Sequence, residues 1–141
     1  MRAVLDTSVL VSALRSPAGA SNLLVQAVFE GQIRPLISVA LALEYEAVLM
    51  RPEHLAVSGF DASEAMKIVR AFCTHGEPVH IAHRLRPQLV DPDDEFILET
   101  AYHGNADCIV TFNRRDFHSA AKRFGIDTLS PPEALRKLRN R

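Results

Sequence analysis

Four acidic residues lie at positions that a compact α/β fold would bring together: Asp6, Glu44, Asp94 and Asp116. Metal-dependent chemistry on phosphates uses side chains of this type. Clustered carboxylates without clustered Cys or His favour a hard divalent cation such as Mg²⁺ or Mn²⁺, which prefers oxygen ligands. Such a cation polarises phosphates and activates water. If the fold gathers these four side chains, the sequence predicts metal-dependent phosphodiester chemistry.

The elements that must gather these acids alternate along the chain. Short apolar segments predict strands at 2–6, 34–37, 79–81, 107–111 and 126–129. Helical patterns lie between and after them, at 9–14, 20–31, 39–50, 61–75, 91–104, after residue 113 and at 133–139, and residues 83–92 are predicted as a loop. Apolar strands that alternate with helices predict a three-layer α/β/α fold with a central, mainly parallel sheet.

Ligands bind at the carboxyl ends of the strands in this architecture, and the acids lie where those ends are expected. Asp6 ends the first strand, Asp116 follows the strand at 107–111, and Asp94 begins a helix. Each of the three is also well placed to cap a helix or to favour its positive end, which is a simpler interpretation of each residue alone. The four acids together are the reason to predict a site.

Glu44 lies on the helix at 39–50, where a carboxylate is costly to bury unless it is paired, protonated or bound to metal. The residues three and four positions away from it are apolar: Ala40, Leu41, Ala47 and Val48. Glu46 has equally apolar neighbours, so helical periodicity does not choose between the two glutamates. The one outside the site is expected to reach solvent or an arginine such as Arg51. Whether Asp93 shares the site with Asp94 is equally open.

Charge is distributed unevenly although the formal net charge is only −1. Residues 114–141 carry eight Lys and Arg against three Asp and Glu. This segment either holds a polyanion beside the acidic site or is an ordinary solvated terminal helix. Arg114 and Arg115 flank Asp116 and are candidate phosphate contacts, which Lys122 and Arg123 extend. With no Trp and 6% aromatic residues, an extensive base-stacking platform is not expected.

Composition predicts a single domain over residues 1–141 and a cytoplasmic location. Cys73 and Cys108 lie in apolar stretches, which favours buried free thiols and a reducing compartment. No signal peptide is recognised, and no apolar run approaches the roughly 18 residues that a membrane span needs. The six histidines have no accompanying second ligand set, so a zinc site is not expected.

Three segments together resemble the PIN-domain family, and the resemblance extends over nearly the whole chain. They are VLDTSVLVSAL, SVALALEYEAVLMRP and DPDDEFILETAYHGNADCIVTFNRRDF. The last is the most specific, because it joins an Asp-rich helix start, a buried strand and Asn-x-x-Asp-Phe. Within the family, the chain is most similar to the VapC-like toxin components of toxin–antitoxin pairs.

The resemblance implies a Mg²⁺- or Mn²⁺-dependent endoribonuclease that cuts single-stranded RNA and leaves a 5′-phosphate and a 3′-hydroxyl. It implies that the catalytic and metal-binding acids are Asp6, Glu44, Asp94 and Asp116, and it favours Glu44 over Glu46. The supporting polar residues that it implies are Thr7, Ser8, Thr111 and Asn113. Many members carry Asp where this chain has Asn113, a difference that removes one charge and bears on a second metal.

The resemblance also implies partners and leaves one alternative function. A cognate antitoxin is expected, and a homodimer is plausible through the apolar helices around 23–29 and 39–50. The alternative is a PIN-like domain that binds RNA or a partner without turnover, for which Asn113 is the one supporting feature. An aspartyl phosphatase requires a second acid where this chain has Ser8, and a phosphoacceptor receiver domain requires an acidic pair and a late Lys that are absent.

Overall fold

The computed structural model describes residues 1–141, which form a five-stranded sheet in the order β3-β2-β1-β4-β5. The strands are β1 (Arg2–Leu5), β2 (Arg34–Ile37), β3 (Glu77–Pro78), β4 (Cys108–Val110) and β5 (Asp127–Leu129). Every neighbouring pair is parallel. Parallel neighbours require crossover connections, which the helices supply. The predicted α/β/α fold is therefore confirmed, with a sheet that is parallel throughout.

Eight helices flank the sheet. They are α1 (Thr7–Arg15), α2 (Ala20–Phe29), α3 (Val39–Leu49), α4 (Pro52–Ser58), α5 (Ala62–Thr74), α6 (Glu95–His103), α7 (Arg114–Arg123) and α8 (Pro131–Arg139). A 3₁₀ turn at Pro92–Asp94 precedes α6. Asp61 and Ser130 form capping boxes at the starts of α5 and α8, each with a glutamate three residues on.

The third strand differs from its prediction at 79–81, which is wrong. The sheet pairs Leu36 with Glu77, so the apolar residues that suggested the strand begin just as the chain leaves the sheet. An ion pair between Arg2 and Glu77, at 2.5 Å, fixes β3 in this register. A Cβ at Gly76 would lie 2.6 Å from Cδ1 of Ile37, so a larger residue there would require the Ile37 side chain to move. Long-range contacts, and not local apolar character, set this strand.

Helix α4 was not predicted, although its end signals are present in the sequence. Pro52 occupies its first turn, where the missing N–H costs nothing. Gly59 follows it with φ of 78°, the left-handed conformation that ends many helices. The segment between these two residues is short and largely exposed, so no buried apolar stripe marked it as a helix.

The carboxyl edge of the sheet is where four helices begin. The residues that follow β1, β2, β4 and β5 lead directly into α1, α3, α7 and α8. The helix-capping positions at this edge are occupied by Asp6, Ser38, Asn113 and Ser130. Strands β1 and β4, which precede Asp6 and Asn113, belong to the buried core. Polar side chains from distant parts of the chain therefore meet at this edge.

Two expectations that bear on compartment can be compared with the structure. Cys73 and Cys108 are free thiols, as predicted; Cys108 is buried, whereas Cys73 is only half-buried. Burial raises the pKa of the Cys108 thiol to about 11. None of the helices combines the length and the apolar character needed to cross a membrane.

Candidate active site

Asp6 lies directly after β1, where its N–H donates to the carbonyl of Val110 on β4 at 2.9 Å. It occupies the capping position of α1, yet its side chain makes no capping hydrogen bond. Its Oδ2 instead accepts hydrogen bonds from the hydroxyls of Thr111, at 2.8 Å, and Ser8, at 3.1 Å. The carboxylate is therefore held by two hydroxyls at the sheet edge and does not serve as a helix cap.

Thr111 connects three parts of this edge. It is buried just beyond β4, and its N–H donates to the carbonyl of Leu129 on β5 at 2.9 Å. Its hydroxyl donates to Asp6 and accepts from the N–H of Asn113 at 3.0 Å. One side chain thus fixes both the orientation of Asp6 and the start of α7. The side chain of Asn113 makes no capping hydrogen bond.

Glu44 lies on α3, and its carboxylate accepts a hydrogen bond from the Thr7 hydroxyl. Burial raises the pKa of Glu44, and the negative charges of Asp6 and Asp93 raise it further, while the Thr7 hydrogen bond and Arg51 oppose the shift. Burial raises the pKa of the Cys73 thiol on α5, and the charge of Glu46 raises it further. The structure therefore turns Glu44, and not Glu46, towards Asp6.

Asp94 ends the 3₁₀ turn that precedes α6, and its side chain is half-exposed without a capping hydrogen bond. Its pKa is raised to about 6, first by burial and then by the charges of Asp6, Asp91, Asp116 and Glu44. These charges act on Asp94 because they lie close to it. Asp94 is thus the acid whose pKa responds to the charges of the other three predicted acids.

Asp116 occupies the first turn of α7 and is exposed. Its N–H donates to the Asn113 carbonyl at 3.0 Å, which fixes its backbone, while its side chain has no hydrogen-bond partner in the protein. Its charge reaches Asp94. Among the four acids it is therefore the one least held by its surroundings.

The donor chemistry of this edge fits a hard divalent cation, because all four candidate ligands are carboxylates whose mutual repulsion a cation would relieve. The side chains are not arranged as a finished coordination shell: no group of three or more His, Cys, Asp or Glu converges closely enough to hold a metal ion. Asp6 and Glu44 are each bonded to hydroxyls instead. The chemistry fits, and a bound cation would require the carboxylates to move together.

The two arginines predicted to contact phosphates differ in whether other residues of the protein already bind them. The Arg114 guanidinium donates to the carbonyl of Thr128 at 3.2 Å and forms an ion pair with Glu133 at 3.1 Å. Arg115 is exposed and forms no ion pair. Arg114 therefore serves the contact between α7 and α8, and Arg115 is the one available to a ligand. Further along the basic segment, Arg123 donates to Gln88 at 2.8 Å.

Tyr45 supports the site from beneath, a role that the sequence did not indicate. It is fully buried on α3, and its hydroxyl donates to the carbonyl of Leu5 at 2.5 Å, one residue before Asp6. Its ring packs edge-on against Phe72 at 5.7 Å. Burial raises the pKa of Tyr45 well above its usual value, so it remains a donor. The sequence shows a tyrosine next to Glu44, but only the fold shows that its hydroxyl donates to the carbonyl of Leu5.

Two buried glutamates on α6 hold the loop that leads to Asp94, and neither was among the residues predicted from the sequence. Glu99 accepts a hydrogen bond from the Leu85 N–H at 2.8 Å and pairs with the Arg86 guanidinium at 3.2 Å. Glu95 accepts two further N–H groups of the same loop, at 2.8 and 2.9 Å. The signal in the sequence for these two residues was a pair of acids four positions apart on a largely apolar helix.

The four predicted acids differ in exposure: Asp6 is buried, Glu44 and Asp94 are half-buried, and Asp116 is exposed. Two surface concavities, of about 460 and 470 Å³, lie between α2 and α8 and beside Tyr102 and Phe124. None of the four predicted acids lines either one.

Comparison with known proteins gives one match. A family model described as PIN domain matches residues 2–115, which is more than half of the chain. The matched span includes Asp6, Glu44 and Asp94 and ends just before Asp116. No curated protein and no solved structure matches the chain.

Proposed function

The chain belongs to the PIN-domain family, and we propose that it is a metal-dependent endoribonuclease that cleaves single-stranded RNA. PIN domains are generally nucleases and typically use divalent metal ions. The observation that carries the proposal is that the negative charges of Asp6, Glu44 and Asp116 all raise the pKa of Asp94 at one edge of the sheet. We propose that residues 1–141 act as one PIN-like domain in the cytoplasm.

The residues proposed to hold the cation are Asp6, Glu44 and Asp94. A bound Mg²⁺ or Mn²⁺ would supply charge stabilisation at the scissile phosphate and lower the pKa of water. Asp116, whose side chain has no hydrogen-bond partner in the protein, would orient the attacking water or complete a second, weaker cation site. Asn113 carries no charge, so it would contribute to such a second site only through its amide oxygen.

The hydroxyl residues are proposed to pre-organise the acids. Thr111 and Ser8 hold Oδ2 of Asp6, which leaves Oδ1 without a hydrogen bond in the protein. Thr7 orients Glu44 in the same way. Groups that are fixed before the substrate arrives need little reorganisation during the reaction, which is where most electrostatic catalysis originates.

The proposed reaction is hydrolysis of a phosphodiester. The oxygen of water forms a bond to phosphorus, and the bond from phosphorus to the 3′ oxygen breaks. The 3′ oxygen leaves with a proton, which gives a 3′-hydroxyl and a 5′-phosphate. Arg115, which is exposed one residue before Asp116, is proposed to contact a neighbouring phosphate of the strand.

The substrate class is tested by offering the purified protein one sequence in three forms: single-stranded RNA, double-stranded RNA and single-stranded DNA. We expect cleavage of single-stranded RNA alone, in Mg²⁺ or Mn²⁺ and not in EDTA. Equal cleavage of DNA or of the duplex would reject the proposed substrate. Binding of single-stranded RNA without cleavage in any metal would instead support the alternative of a PIN-like binding domain.

We further propose that the nuclease is the toxin of a toxin–antitoxin pair, on the basis of the motif resemblance. The antitoxin would cover the acidic edge, and an arginine in place of the cation would form charge-assisted hydrogen bonds with the carboxylates. Induced expression in bacterial cells is expected to arrest growth, whereas Asp6→Asn is expected to be tolerated. Growth that is unaffected by the native chain at matched expression would reject the toxin role.

A homodimer through α3 is proposed from its exposed apolar residues. Val39 and Leu43 lie one turn apart on this helix and are 76% and 60% exposed. Apolar side chains that lie together on a surface are common at protein interfaces. Sedimentation should show a dimer that Leu43→Lys converts to a monomer; a monomeric native chain would reject the proposal.

A further inference from the structure

We infer that Phe112 stacks on a base of the RNA strand next to the scissile phosphate and so sets sequence preference. The inference rests on the proposed function and adds a recognition contact to it. Phe112 is the residue between Thr111, which holds Asp6, and Asn113, which precedes α7. The backbone of Phe112 is therefore flanked by Thr111, which contacts an acid proposed to cut the strand.

The exposure of this ring is unusual for the chain. Phe112 is 51% exposed, compared with 40% for Phe29 and 38% for Tyr102. Those two rings pack against other rings: Phe29 against His75 at 5.0 Å, and Tyr102 against Phe124 at 5.2 Å. Phe112 has no ring partner. The most exposed phenylalanine or tyrosine of the protein therefore packs against no other ring.

The backbone on both sides of Phe112 is fixed. The N–H of Thr111 is bonded to the Leu129 carbonyl at 2.9 Å, and the N–H of Asn113 to the Thr111 hydroxyl at 3.0 Å. An exposed ring on a fixed turn loses little conformational entropy when a ligand packs against it. Exposure of the phenyl ring to water is unfavourable in the free protein, and a stacked base would remove it.

The chemistry around the ring favours a nucleobase as the occupant. Arg115 lies three residues away, is exposed and forms no ion pair, so a phosphate can bind it while the adjoining base reaches Phe112. Proteins that bind single strands combine such cationic contacts with aromatic faces. A single ring cannot form an extensive stacking platform, and the expected result is preference at one nucleotide rather than general affinity.

The test compares three variants by the anisotropy of a labelled single-stranded RNA in EDTA, and maps the cuts in Mn²⁺. Phe112→Leu keeps an apolar side chain but removes the aromatic face, and Phe112→Trp enlarges that face. Phe29→Leu is the matched control, since Phe29 ends α2 at the opposite edge of the sheet. The same titrations are repeated on RNAs that each lack one base. Thermal unfolding confirms that each variant is folded.

We expect Phe112→Leu to raise the Kd about tenfold, within the usual range for one stacked base, and Phe112→Trp and Phe29→Leu to change it by less than about twofold. One RNA, which lacks the base at a position within about two nucleotides of the cut, should bind the native protein about tenfold more weakly than the complete RNA does. Phe112→Leu should bind that RNA and the complete RNA with the same Kd.

Two results would overturn the inference while the nuclease proposal stands. Cleavage by the native protein with no effect of Phe112→Leu on Kd or cut sites would show that the ring contacts no substrate. An equal loss for Phe112→Leu on every RNA, whichever base is missing, would show that the ring contacts something other than a base. A native protein that neither binds nor cuts single-stranded RNA would overturn both proposals together.

Discussion

The Thr111 hydroxyl donates a 2.8 Å hydrogen bond to the Asp6 carboxylate, although the two residues are 105 positions apart in the chain. They meet because β1 and β4 are parallel neighbours, so that both strands end at the same edge of the sheet. The bond turns one carboxylate oxygen of Asp6 into the protein and leaves the other free. It is the contact on which the orientation of Asp6 most depends.

Thr111→Val tests this contact, because valine keeps the shape and removes the hydroxyl. The variant leaves Asp6 with Ser8 alone and leaves the Asn113 N–H without an acceptor. We expect a loss of about 1–2 kcal/mol in the free energy of unfolding, and a fall of about tenfold or more in RNA cleavage. Urea unfolding and cleavage rates measure the two effects. Thr111→Ser should restore both; a serine variant as impaired as valine would contradict the account.

Asp94→Asn should make the protein more stable at neutral pH. The folded pKa of Asp94 is about 6, against an ordinary value of 3.8. Between those values the folded state binds more protons than the unfolded state, so stability falls as the pH rises through this window. Removing the charge should therefore gain on the order of 1 kcal/mol at pH 7, after allowance for solvent screening, and nothing below about pH 4. Urea unfolding in EDTA measures this; a pH-independent difference would argue against charge repulsion.

Glu77→Gln should destabilise the edge strand β3. Unlike the Asp94 effect, the contribution of Glu77 to stability should decrease as the pH falls. The hydrogen bonds and charge of Arg2 lower the pKa of Glu77 below its ordinary value of 4.5. Stability from this pair is present above that value and is lost as the pH falls through the lower, folded value. The native protein should therefore exceed the variant in stability at pH 7 and converge with it in acid. Unfolding midpoints across this range would show it, and parallel curves would contradict it.

Glu99→Ala should loosen the loop that leads to Asp94. It leaves the Arg86 guanidinium and the Leu85 N–H without their buried acceptor. We expect a loss of about 2–4 kcal/mol in the free energy of unfolding. The loss in Arg86→Ala/Glu99→Ala should be smaller than the sum of the two single losses, because the pair acts as one unit. Additive losses in urea unfolding would show that the two residues act independently.

Local patterns were sufficient for much of the fold. Caps such as Ser38 and Asp61 mark helix starts in the sequence, and the apolar segment before Asp6 marks β1. A parallel sheet follows from the alternation of strands and helices, and it places Asp6 and Thr111 at one edge without further information. β3 could not be placed this way, because its position depends on pairing with β2 and on Arg2.

The arrangement of the site required three-dimensional contacts. Glu44 and Glu46 have equivalent helical surroundings; the resemblance favours Glu44, and the contact with Thr7 supplies the physical difference between them. Arg114 and Arg115 are adjacent and alike in sequence, yet Glu133 binds one of them. In each pair the difference lies in a partner from a distant part of the chain, which neither periodicity nor composition records.

The decisive experiment for the proposed nuclease is cleavage of labelled single-stranded RNA by the native protein and by Asp6→Asn, in Mg²⁺, Mn²⁺ and EDTA. Asp107→Asn is the matched control, because Asp107 lies at the opposite end of β4 and its bond to the Arg2 N–H needs only an oxygen acceptor. We predict metal-dependent cutting by the native and control proteins and a loss of about 100-fold or more in Asp6→Asn. Cutting that survives Asp6→Asn, or that proceeds equally in EDTA, would contradict the account.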